Sequence, residues 1–292
     1  MRNAKSMFIL AYPLAVLLIA GWSAWELATG GPVLSWGGAL LTVIPFIGLY
    51  IRAVTSETLA RTTHSLPVLS ALTLAGGAMA AWGFVDGEGR DTPALGLALA
   101  GVAGFFLYDF WYSSFGRRIN ERLAPGEQLP RFTARDLEGR EVSSDDLLGQ
   151  PALFMFYRGN WCPFCRAQVK EIIGRYRELL DRGVRVALVS PGDHDLTRRV
   201  ADIFNIPFNF WVDEDLAAAR TLGIADVDGV PAGPLRGRYG RDTVLPTVVI
   251  TDARGRILFS DQTQNYRVRP EPEIFLRVLA AHGVGPRGQA SS

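Results

Sequence analysis

Long apolar runs dominate the first 112 residues, where only eleven charged side chains interrupt the sequence. Those charges enclose uncharged stretches of 20, 25, 24 and 17 residues. A membrane-spanning helix needs about 20 mostly apolar residues, so the pattern predicts four spans. We place them at about 7–25, 31–51, 65–85 and 92–112. Asp109, at the end of the fourth span, is expected to reach the lipid headgroups beside Trp111.

After residue 112 the pattern changes to short apolar runs that alternate with amphipathic stretches, which predicts strands alternating with helices. Strands are predicted at 152–157, 184–190, 247–251 and 256–260, and helices at 165–180, 195–204, 216–222 and 272–282. Such a mixture implies an α/β domain in which helices cover both faces of a central mixed sheet. The predicted parts of the chain are a four-helix transmembrane region at 1–112, a linker at 113–125, the α/β domain at 126–286 and a flexible tail at 287–292.

Charge is nearly balanced over the whole chain, with 30 basic and 29 acidic residues. This balance argues against a nucleic-acid-binding protein, which presents a strongly basic face. Near the spans, however, seven Lys or Arg residues lie on one side and only Arg90 on the other. Because basic residues are retained in the cytoplasm, we predict an inner or plasma membrane protein whose α/β domain is cytoplasmic. A cleaved signal peptide in place of the first span is the alternative, and it would change this orientation.

The two cysteines of the chain, Cys162 and Cys165, directly follow the predicted strand 152–157 and begin the next helix. Unpaired N–H groups and the helix dipole favour a thiolate there, and Arg158 and Arg166 add positive charge. A second sulfur one helical turn away can close a disulfide, so a CxxC pair in a βαβ pattern predicts redox exchange. Because the helix start faces solvent, we expect Cys162 to be the more reactive thiol and Cys165 to be shielded.

Two other interpretations of the cysteines remain open. A structural zinc site needs about four ligands, and only His64, His194 and His282 could join the two thiols. None of these histidines is close to the cysteines in sequence. Alternatively, both cysteines are inert and buried. We predict neither a metal nor a cofactor.

Three stretches carry a resemblance to a known family. They are 132–148 (FTARDLEGREVSSDDLL), 156–165 (FYRGNWCPFC) and 245–255 (LPTVVITDARG). Through them, residues 123–284 resemble the redoxin family of alkyl hydroperoxide reductase, thiol-specific antioxidant proteins and peroxiredoxin-like relatives, which implies a thioredoxin-like fold. Trp161 is similar to the tryptophan of thioredoxin, and the Cys-Pro-aromatic-Cys order around Pro163 is similar to glutaredoxin. The resemblance also implies that Pro246 is a cis-proline facing the cysteines.

The peroxidase motif of that family, Pro-x-x-x-Thr/Ser-x-x-Cys, is incomplete in this chain. Its final cysteine aligns with Cys165, while Cys162 replaces the hydroxyl residue and Arg158 replaces the proline. Pro246 occupies about the position of the arginine that activates peroxide. Donors aimed at the O–O bond would therefore come from Arg158 or from the glycine-rich stretch 226–241. The arginines of that stretch are Arg236, Arg238 and Arg241.

These residues predict a membrane-anchored thiol:disulfide oxidoreductase. Cys162 would attack a substrate disulfide, Cys165 would then attack Cys162 to release the reduced product, and Trp161 and Pro246 would shape the docking surface. One alternative is a thiol peroxidase with Cys165 as the peroxidatic and Cys162 as the resolving thiol, and another is a non-enzymatic redox sensor or binding module. The expected partners are a protein or small-molecule disulfide or peroxide substrate, a thiol reductant and the lipid bilayer, but no nucleic acid.

Overall fold

The computed structural model describes residues 2–55, 61–86, 90–192, 194–204 and 206–286. The chain forms two compact units, one built from most residues up to Ser114 and the other from most residues beyond it. The tail predicted at 287–292 lies outside the described residues.

The first unit consists of four long helices, as the apolar runs predict. They are α1 (Arg2–Ala28), α2 (Val33–Thr55), α3 (Pro67–Asp86) and α4 (Thr92–Phe106), and α4 continues as a π-helix over Leu107–Tyr112. Each of these segments is long and apolar enough to cross a membrane. Large apolar side chains stay exposed along them, among them Leu14, Leu18, Leu74 and Leu99. Exposed apolar side chains in this number are typical of a protein surface that contacts a membrane or another protein.

Small residues bring these helices into close contact, as in many membrane proteins. A Cβ atom added to Gly38 of α2 would lie 2.4 Å from the backbone nitrogen of Ala80 in α3. One added to Gly76 of α3 would lie 2.8 Å from the carbonyl oxygen of Gly38, and one added to Gly101 of α4 would lie 2.1 Å from Oγ1 of Thr42. Any larger side chain at these three glycines would therefore push the helices apart.

Asp109 lies in the π-helix and is only 2% exposed. Its Oδ2 accepts a hydrogen bond from the backbone N–H of Leu66, 3.3 Å away, just before α3 begins at Pro67. The expectation that this carboxylate reaches the headgroups is wrong. Backbone N–H groups at the start of a helix have no hydrogen-bond acceptor within that helix. The Asp109 carboxylate, on a neighbouring helix, is the acceptor for the Leu66 N–H.

The second unit contains a seven-stranded mixed sheet in the order β2-β1-β5-β4-β3-β8-β9. Its strands are β1 (Thr133–Arg135), β2 (Glu141–Ser143), β3 (Ala152–Phe156), β4 (Arg185–Ser190), β5 (Asn209–Val212), β8 (Thr247–Thr251) and β9 (Ile257–Asp261), while β6 (Ala225–Asp226) and β7 (Thr243–Val244) pair separately. Strands β3, β4 and β5 run parallel, and β8 is antiparallel to both β3 and β9. This is the thioredoxin-like arrangement that the family resemblance implies.

The helices of this unit are α5 (Pro163–Gly174), α6 (Tyr176–Asp181), α7 (His194–Phe204), α8 (Ala217–Thr221), α9 (Pro234–Tyr239) and α10 (Pro272–Ala281). Strand β3 is buried at all five positions, as expected for a central strand that is covered on both faces. The main core beside it includes Phe132, Phe154, Phe156 and Trp211, whose ring centroids lie 5.4 to 6.1 Å apart. Close packing on both faces fixes the end of β3, where the cysteine turn begins.

The stretch 113–125 differs from the linker predicted for it. Leu123 is fully buried in the main core, and the backbone N–H of Asn120 donates a hydrogen bond to Oε1 of Gln262 at 2.7 Å. From Phe115 onward, this stretch is therefore part of the second unit. Its apolar residues are too few to show a period, so the sequence pattern did not reveal the packing.

Three other elements also differ from the prediction. The helix predicted at 165–180 breaks after Gly174, a residue of low helix propensity, and resumes at Tyr176. The glycine-rich stretch 226–241, for which no helix was predicted, contains α9. Strand β5 was not predicted, because its apolar run is only three residues long and follows the polar Asn209.

Candidate active site

The cysteine pair lies where β3 is followed by α5. Cys162 caps the helix with an extended backbone (φ −89°, ψ 112°), and its carbonyl oxygen accepts the N–H of Arg166 at 3.0 Å. Pro163 takes the first helical position, where the missing N–H would have had no helical partner. Cys165 follows within the first turn, among N–H groups that have no helical acceptor. The structure thus places both cysteines at a strand-to-helix turn, as the sequence predicts.

The two thiols are buried and differ in acidity. Cys162 is 2% exposed and Cys165 is 0% exposed. A hydrogen bond from the Cys162 thiol to Cys165, together with burial, holds the pKa of Cys162 well above its usual range. Burial raises the pKa of Cys165, but that hydrogen bond and the charges of Arg269 and Arg158 outweigh burial and lower it to about 6. Cys165 is therefore the thiolate of the pair near neutral pH.

Cys165 is shielded, as expected, and the greater reactivity of Cys162 stays a prediction, but the two premises behind that prediction are wrong. Cys162 does not face solvent, and it keeps its proton where the helix dipole alone was expected to remove it. The dipole is worth only about 0.3–1 kcal/mol at an ordinary site. The hydrogen bond to Cys165 and burial outweigh it at Cys162, and the same hydrogen bond favours the Cys165 thiolate.

Arg158 connects the thiol pair to a buried carboxylate. Its Nη2 lies 3.5 Å from Oδ2 of Asp226, and the two side chains are 11% and 0% exposed. The guanidinium carbon lies 4.8 Å from the ring centroid of Trp161 and 5.4 Å from that of Phe115, within range of a cation–π contact. These contacts hold the Arg158 charge beside the thiols, whereas the other neighbouring arginine, Arg166, is exposed.

The turn between β3 and Cys162 depends on a glycine. Gly159 has a φ of +117°, a conformation that residues with a side chain rarely adopt. A Cβ atom there would also lie 3.2 Å from Cδ1 of Trp161. The half-buried Trp161 therefore packs directly over the turn and presents its ring to Arg158.

Pro246 lies at the edge of the site, but not in the expected conformation. Because Thr247 pairs with Phe156 across β8 and β3, Pro246 lies opposite the start of the cysteine turn. The peptide bond before Pro246 is trans, so the expected cis-proline is wrong. The backbone N–H of Leu245 donates to the carbonyl oxygen of Ile224 at 2.7 Å. That bond holds the approach to β8 extended, and the trans form is the one that X-Pro bonds favour by about 0.5–1 kcal/mol.

A segment that the sequence analysis did not select packs against the thiol turn. Residues 265–269 (NYRVR) follow β9, and the ring centroid of Tyr266 lies 5.4 Å from that of Phe164, the residue between Pro163 and Cys165. Arg267 and Arg269 are 0% and 3% exposed, which is rare for arginine. The charge of Arg269 lowers the pKa of both thiols. The only signal in the sequence is an Arg-x-Arg spacing ahead of a proline-led helix.

Arg117 and Asp261 extend this charged cluster. Nη1 of Arg117 donates a hydrogen bond to the carbonyl oxygen of Pro246 at 3.0 Å. Burial lowers the pKa of Arg117 to about 10, although the charge of Asp261 raises it. Burial raises the pKa of Asp261 to about 6, although the charges of Arg269 and Arg117 lower it. The cluster thus contains a carboxyl group that titrates in the same pH range as the Cys165 thiol.

The arginines of the stretch 226–241 are engaged within that stretch. Arg236 and Arg241 lie 3.8 and 2.8 Å from Oδ1 of Asp228, and Arg238 packs on the ring of the neighbouring tyrosine. Four arginines were considered from the sequence as hydrogen-bond donors to a peroxide, and Arg158 is the one among them whose charge lowers the pKa of both thiols.

Metal ligation was the other chemistry considered for the cysteines. Within the ranges that the structure describes, no group of three or more His, Cys, Asp or Glu side chains is placed to hold a metal ion. His282 lies at the end of α10, with Nδ1 2.8 Å from the carbonyl oxygen of Val278.

The sheet topology and the paired thiols define a thioredoxin-like thiol oxidoreductase. Residues 125–260 match the AhpC/TSA family, and this part of the chain is an AhpC/TSA domain. The redoxin resemblance is therefore confirmed for the second unit.

Relatives of the chain fall into two activity classes. It is similar to the thiol-disulfide oxidoreductase ResA of Bacillus anthracis, with 23% identity over 184 residues, 63% of this chain and 91% of the relative. It is also similar to the chloroplastic peroxiredoxin Q of Gentiana triflora, with 27% identity over 123 residues, 41% of this chain and 57% of the relative. Among solved structures, AhpC of Enterococcus faecalis is 21% identical and covers 55% of this chain and 93% of its own, with a TM-score of 0.44.

Proposed function

We propose that this protein is a membrane-anchored thiol:disulfide oxidoreductase in which Cys162 and Cys165 cycle between dithiol and disulfide. The observation that carries the proposal is a pair of buried thiols brought together at the start of one helix. The hydrogen bond between them lowers the pKa of Cys165 to about 6, so that a thiolate is present at neutral pH. The thiolate is the nucleophile of disulfide exchange. Similarity to ResA over 63% of the chain supports a disulfide as substrate.

The hydrogen bond between the two sulfurs allows the pair to share one proton. Cys162 is the less buried sulfur and makes the first attack, for which its proton passes to Cys165. The resulting Cys162 thiolate attacks the substrate disulfide, forms a mixed disulfide with one substrate sulfur and releases the other as a thiolate. Cys165 then loses its proton again, attacks Sγ of Cys162 and releases the second substrate thiol. The protein dithiol loses two electrons, the substrate disulfide gains them, and a thiol reductant restores the dithiol. Trp161 and Pro246 border the turn on which the substrate docks.

A thiol peroxidase is the second candidate, and the acidity of Cys165 specifically favours it. Cys165 aligns with the peroxidatic cysteine of the family, and its thiolate would attack one peroxide oxygen to form a sulfenic acid while an alcohol or water leaves. The Cys162 thiol would then condense with the sulfenic acid to give the same disulfide and water. Arg158 and Arg269 would supply the positive charge that the family places at the position of Pro246.

Serine variants of the two cysteines separate these candidates. The reduced full-length protein in detergent, with Cys162→Ser, Cys165→Ser and the double variant as control, is exposed to hydrogen peroxide or to bis(2-hydroxyethyl) disulfide and analysed by intact mass. We expect the Cys165→Ser variant to accumulate a mixed disulfide at Cys162. Rapid oxidation of Cys165 in the Cys162→Ser variant by peroxide, without adducts from the disulfide, would favour the peroxidase. If neither reagent modifies the pair, a non-enzymatic role replaces both.

The helical unit supplies the membrane part of the proposal. Four segments of sufficient length and apolarity and many exposed leucines support anchorage in the inner or plasma membrane. The asymmetry of basic residues, seven against one, supports a cytoplasmic position of the redox domain. A cytosolic compartment would keep the thiol pair mostly reduced.

A further inference from the structure

Among the residues that the structure describes, none is a hydrogen-bond partner for one edge of the Arg269 guanidinium. The side chain is 3% exposed, and its Nε and Nη2 atoms are buried without a hydrogen-bond partner. Nη1, in contrast, donates to the carbonyl oxygen of Val268 at 2.6 Å and faces that of Asn265 at 3.4 Å. Buried donors without partners are rare in folded proteins, since each costs about 1–3 kcal/mol. An unsatisfied edge of this kind therefore points to a bound group.

The shape of this edge defines the group that it can bind. In a guanidinium, Nε–H and one Nη2–H are parallel and point away from the side chain on the same edge. This fork matches the two oxygens of a carboxylate, which binds it through two parallel hydrogen bonds. Nη1 is occupied by backbone carbonyls, so the fork is held in one orientation before any ligand arrives.

The charges around the fork favour an anion. Arg158 is paired with Asp226, and Arg117 is bound to the Pro246 carbonyl oxygen. Asp261, whose pKa is raised by burial to about 6, is mostly ionised at neutral pH and interacts electrostatically with Arg269, but it makes no hydrogen bond to the free edge. A carboxylate from outside the protein would therefore meet a buried cation of which the two nitrogens Nε and Nη2, with three of the five N–H donors, have no hydrogen-bond partner among the described residues.

The segment that carries this guanidinium packs against the thiol turn, since the ring centroid of Tyr266 lies 5.4 Å from that of Phe164, and the Arg269 charge lowers the pKa of both Cys162 and Cys165. A ligand on the free edge would consequently lie close to the sulfurs that react. Both sulfurs are buried, which favours a small substrate over the disulfide of a folded protein.

We propose that the Nε–Nη2 edge of Arg269 binds a carboxylate of a low-molecular-weight disulfide while that disulfide exchanges with the Cys162–Cys165 pair. This inference rests on the proposed function and names its substrate class. The protein dithiol becomes a disulfide and the substrate is cleaved into two thiols. The single proton that the pair shares passes to one departing substrate sulfur, and water protonates the other. Arg269 takes no proton, and its role is to hold the carboxylate.

The test compares a charged disulfide with a neutral one. The reduced full-length protein in detergent is mixed with 3,3′-dithiodipropionate or with bis(2-hydroxyethyl) disulfide, and formation of the Cys162–Cys165 disulfide is followed by thiol trapping and mass spectrometry. A hydrogen bond to a charged group is worth about tenfold to a hundredfold in rate, so we expect a preference of that size for the dicarboxylate. Arg269→Lys keeps the charge but removes the fork and should lose this preference. Arg254→Lys, at an exposed arginine, should keep it.

A second measurement does not depend on redox turnover. Suberate is the all-carbon analogue of 3,3′-dithiodipropionate, and we expect it to slow alkylation of the thiols by iodoacetamide in the wild-type protein. The neutral analogue 1,8-octanediol should have no such effect. This comparison uses only the wild-type protein and remains decisive if Arg269→Lys does not fold.

Different results overturn the two proposals. Equal rates with both disulfides, or no difference between suberate and octanediol, would overturn the carboxylate site while leaving disulfide exchange intact. Arg269→Lys slowing both disulfides equally would show that Arg269 acts only on the thiolate. Failure of both disulfides to oxidise the wild-type protein would instead contradict the proposed function itself.

Discussion

Removal of the Arg158 charge should destabilise the redox domain by several kilocalories per mole. Asp226 is fully buried, and its Oδ2 lies 3.5 Å from Nη2 of Arg158. Loss of one partner from a buried ion pair costs about 3–5 kcal/mol, because the other charge stays buried without that counterion. Loss of the stacking on Trp161 adds about 0.5–2 kcal/mol. For Arg158→Met, which preserves most of the side-chain length, we therefore expect a loss of about 4 kcal/mol.

Hydrogen exchange on the full-length protein measures this loss within the redox domain alone. Amide exchange in β3 and β8 should accelerate about a thousandfold in Arg158→Met, since about 1.36 kcal/mol corresponds to a factor of ten. The double variant Arg158→Met/Asp226→Asn should recover most of the protection, because a buried pair can be replaced by neutral groups at little cost. Arg140→Met, at an exposed ion pair, should change exchange little. Acceleration of less than tenfold, or no recovery in the double variant, would refute this reasoning.

Three other outcomes are expected. The ultraviolet absorbance of the thiolate in the reduced protein should rise with increasing pH, with a midpoint near pH 6. A midpoint near the ordinary thiol pKa, or the same transition in Cys165→Ser, would contradict the acidity of Cys165. Gly38→Leu should lower the thermal unfolding temperature in detergent because its side chain would meet the backbone of α3, whereas Gly96→Leu, with nothing within 4 Å of its added Cβ, should not. Alkaline phosphatase fused after Ser292 should be inactive and a cytosol-dependent fluorescent reporter bright, and the reverse pattern would place the redox domain outside.

Features that depend on neighbours in sequence could be predicted. The four long helices follow from uncharged runs long enough to span a membrane, and the strand before Cys162 follows from a continuous apolar run. The position of the cysteine pair at a helix start also follows from local order. Each of these features is set by residues within one or two turns or strands, so the sequence alone carries the information.

Features that depend on distant parts of the chain could not be predicted. Arg269 acts on the thiols only because the segment after β9 folds back onto Phe164. The acidity of Cys165 depends on that arginine and on a hydrogen bond whose direction no spacing rule gives. The trans Leu245–Pro246 bond likewise differs from the isomer that the family resemblance implies. For Arg269 no expectation at all came from the sequence, whereas for Cys162 the expectation from the helix dipole was overridden by contacts that form only in the folded chain.

The central claim is that Cys162 and Cys165 form one reversible redox pair. The most direct test treats the reduced full-length protein with a disulfide, traps the remaining thiols with an alkylating reagent and determines the mass of the peptide that contains both cysteines. If the pair is reversible, neither cysteine is alkylated, the peptide has lost the mass of two hydrogen atoms, and dithiothreitol reverses the change. Two alkylated thiols after prolonged treatment, or stable adducts on each cysteine separately, would contradict it.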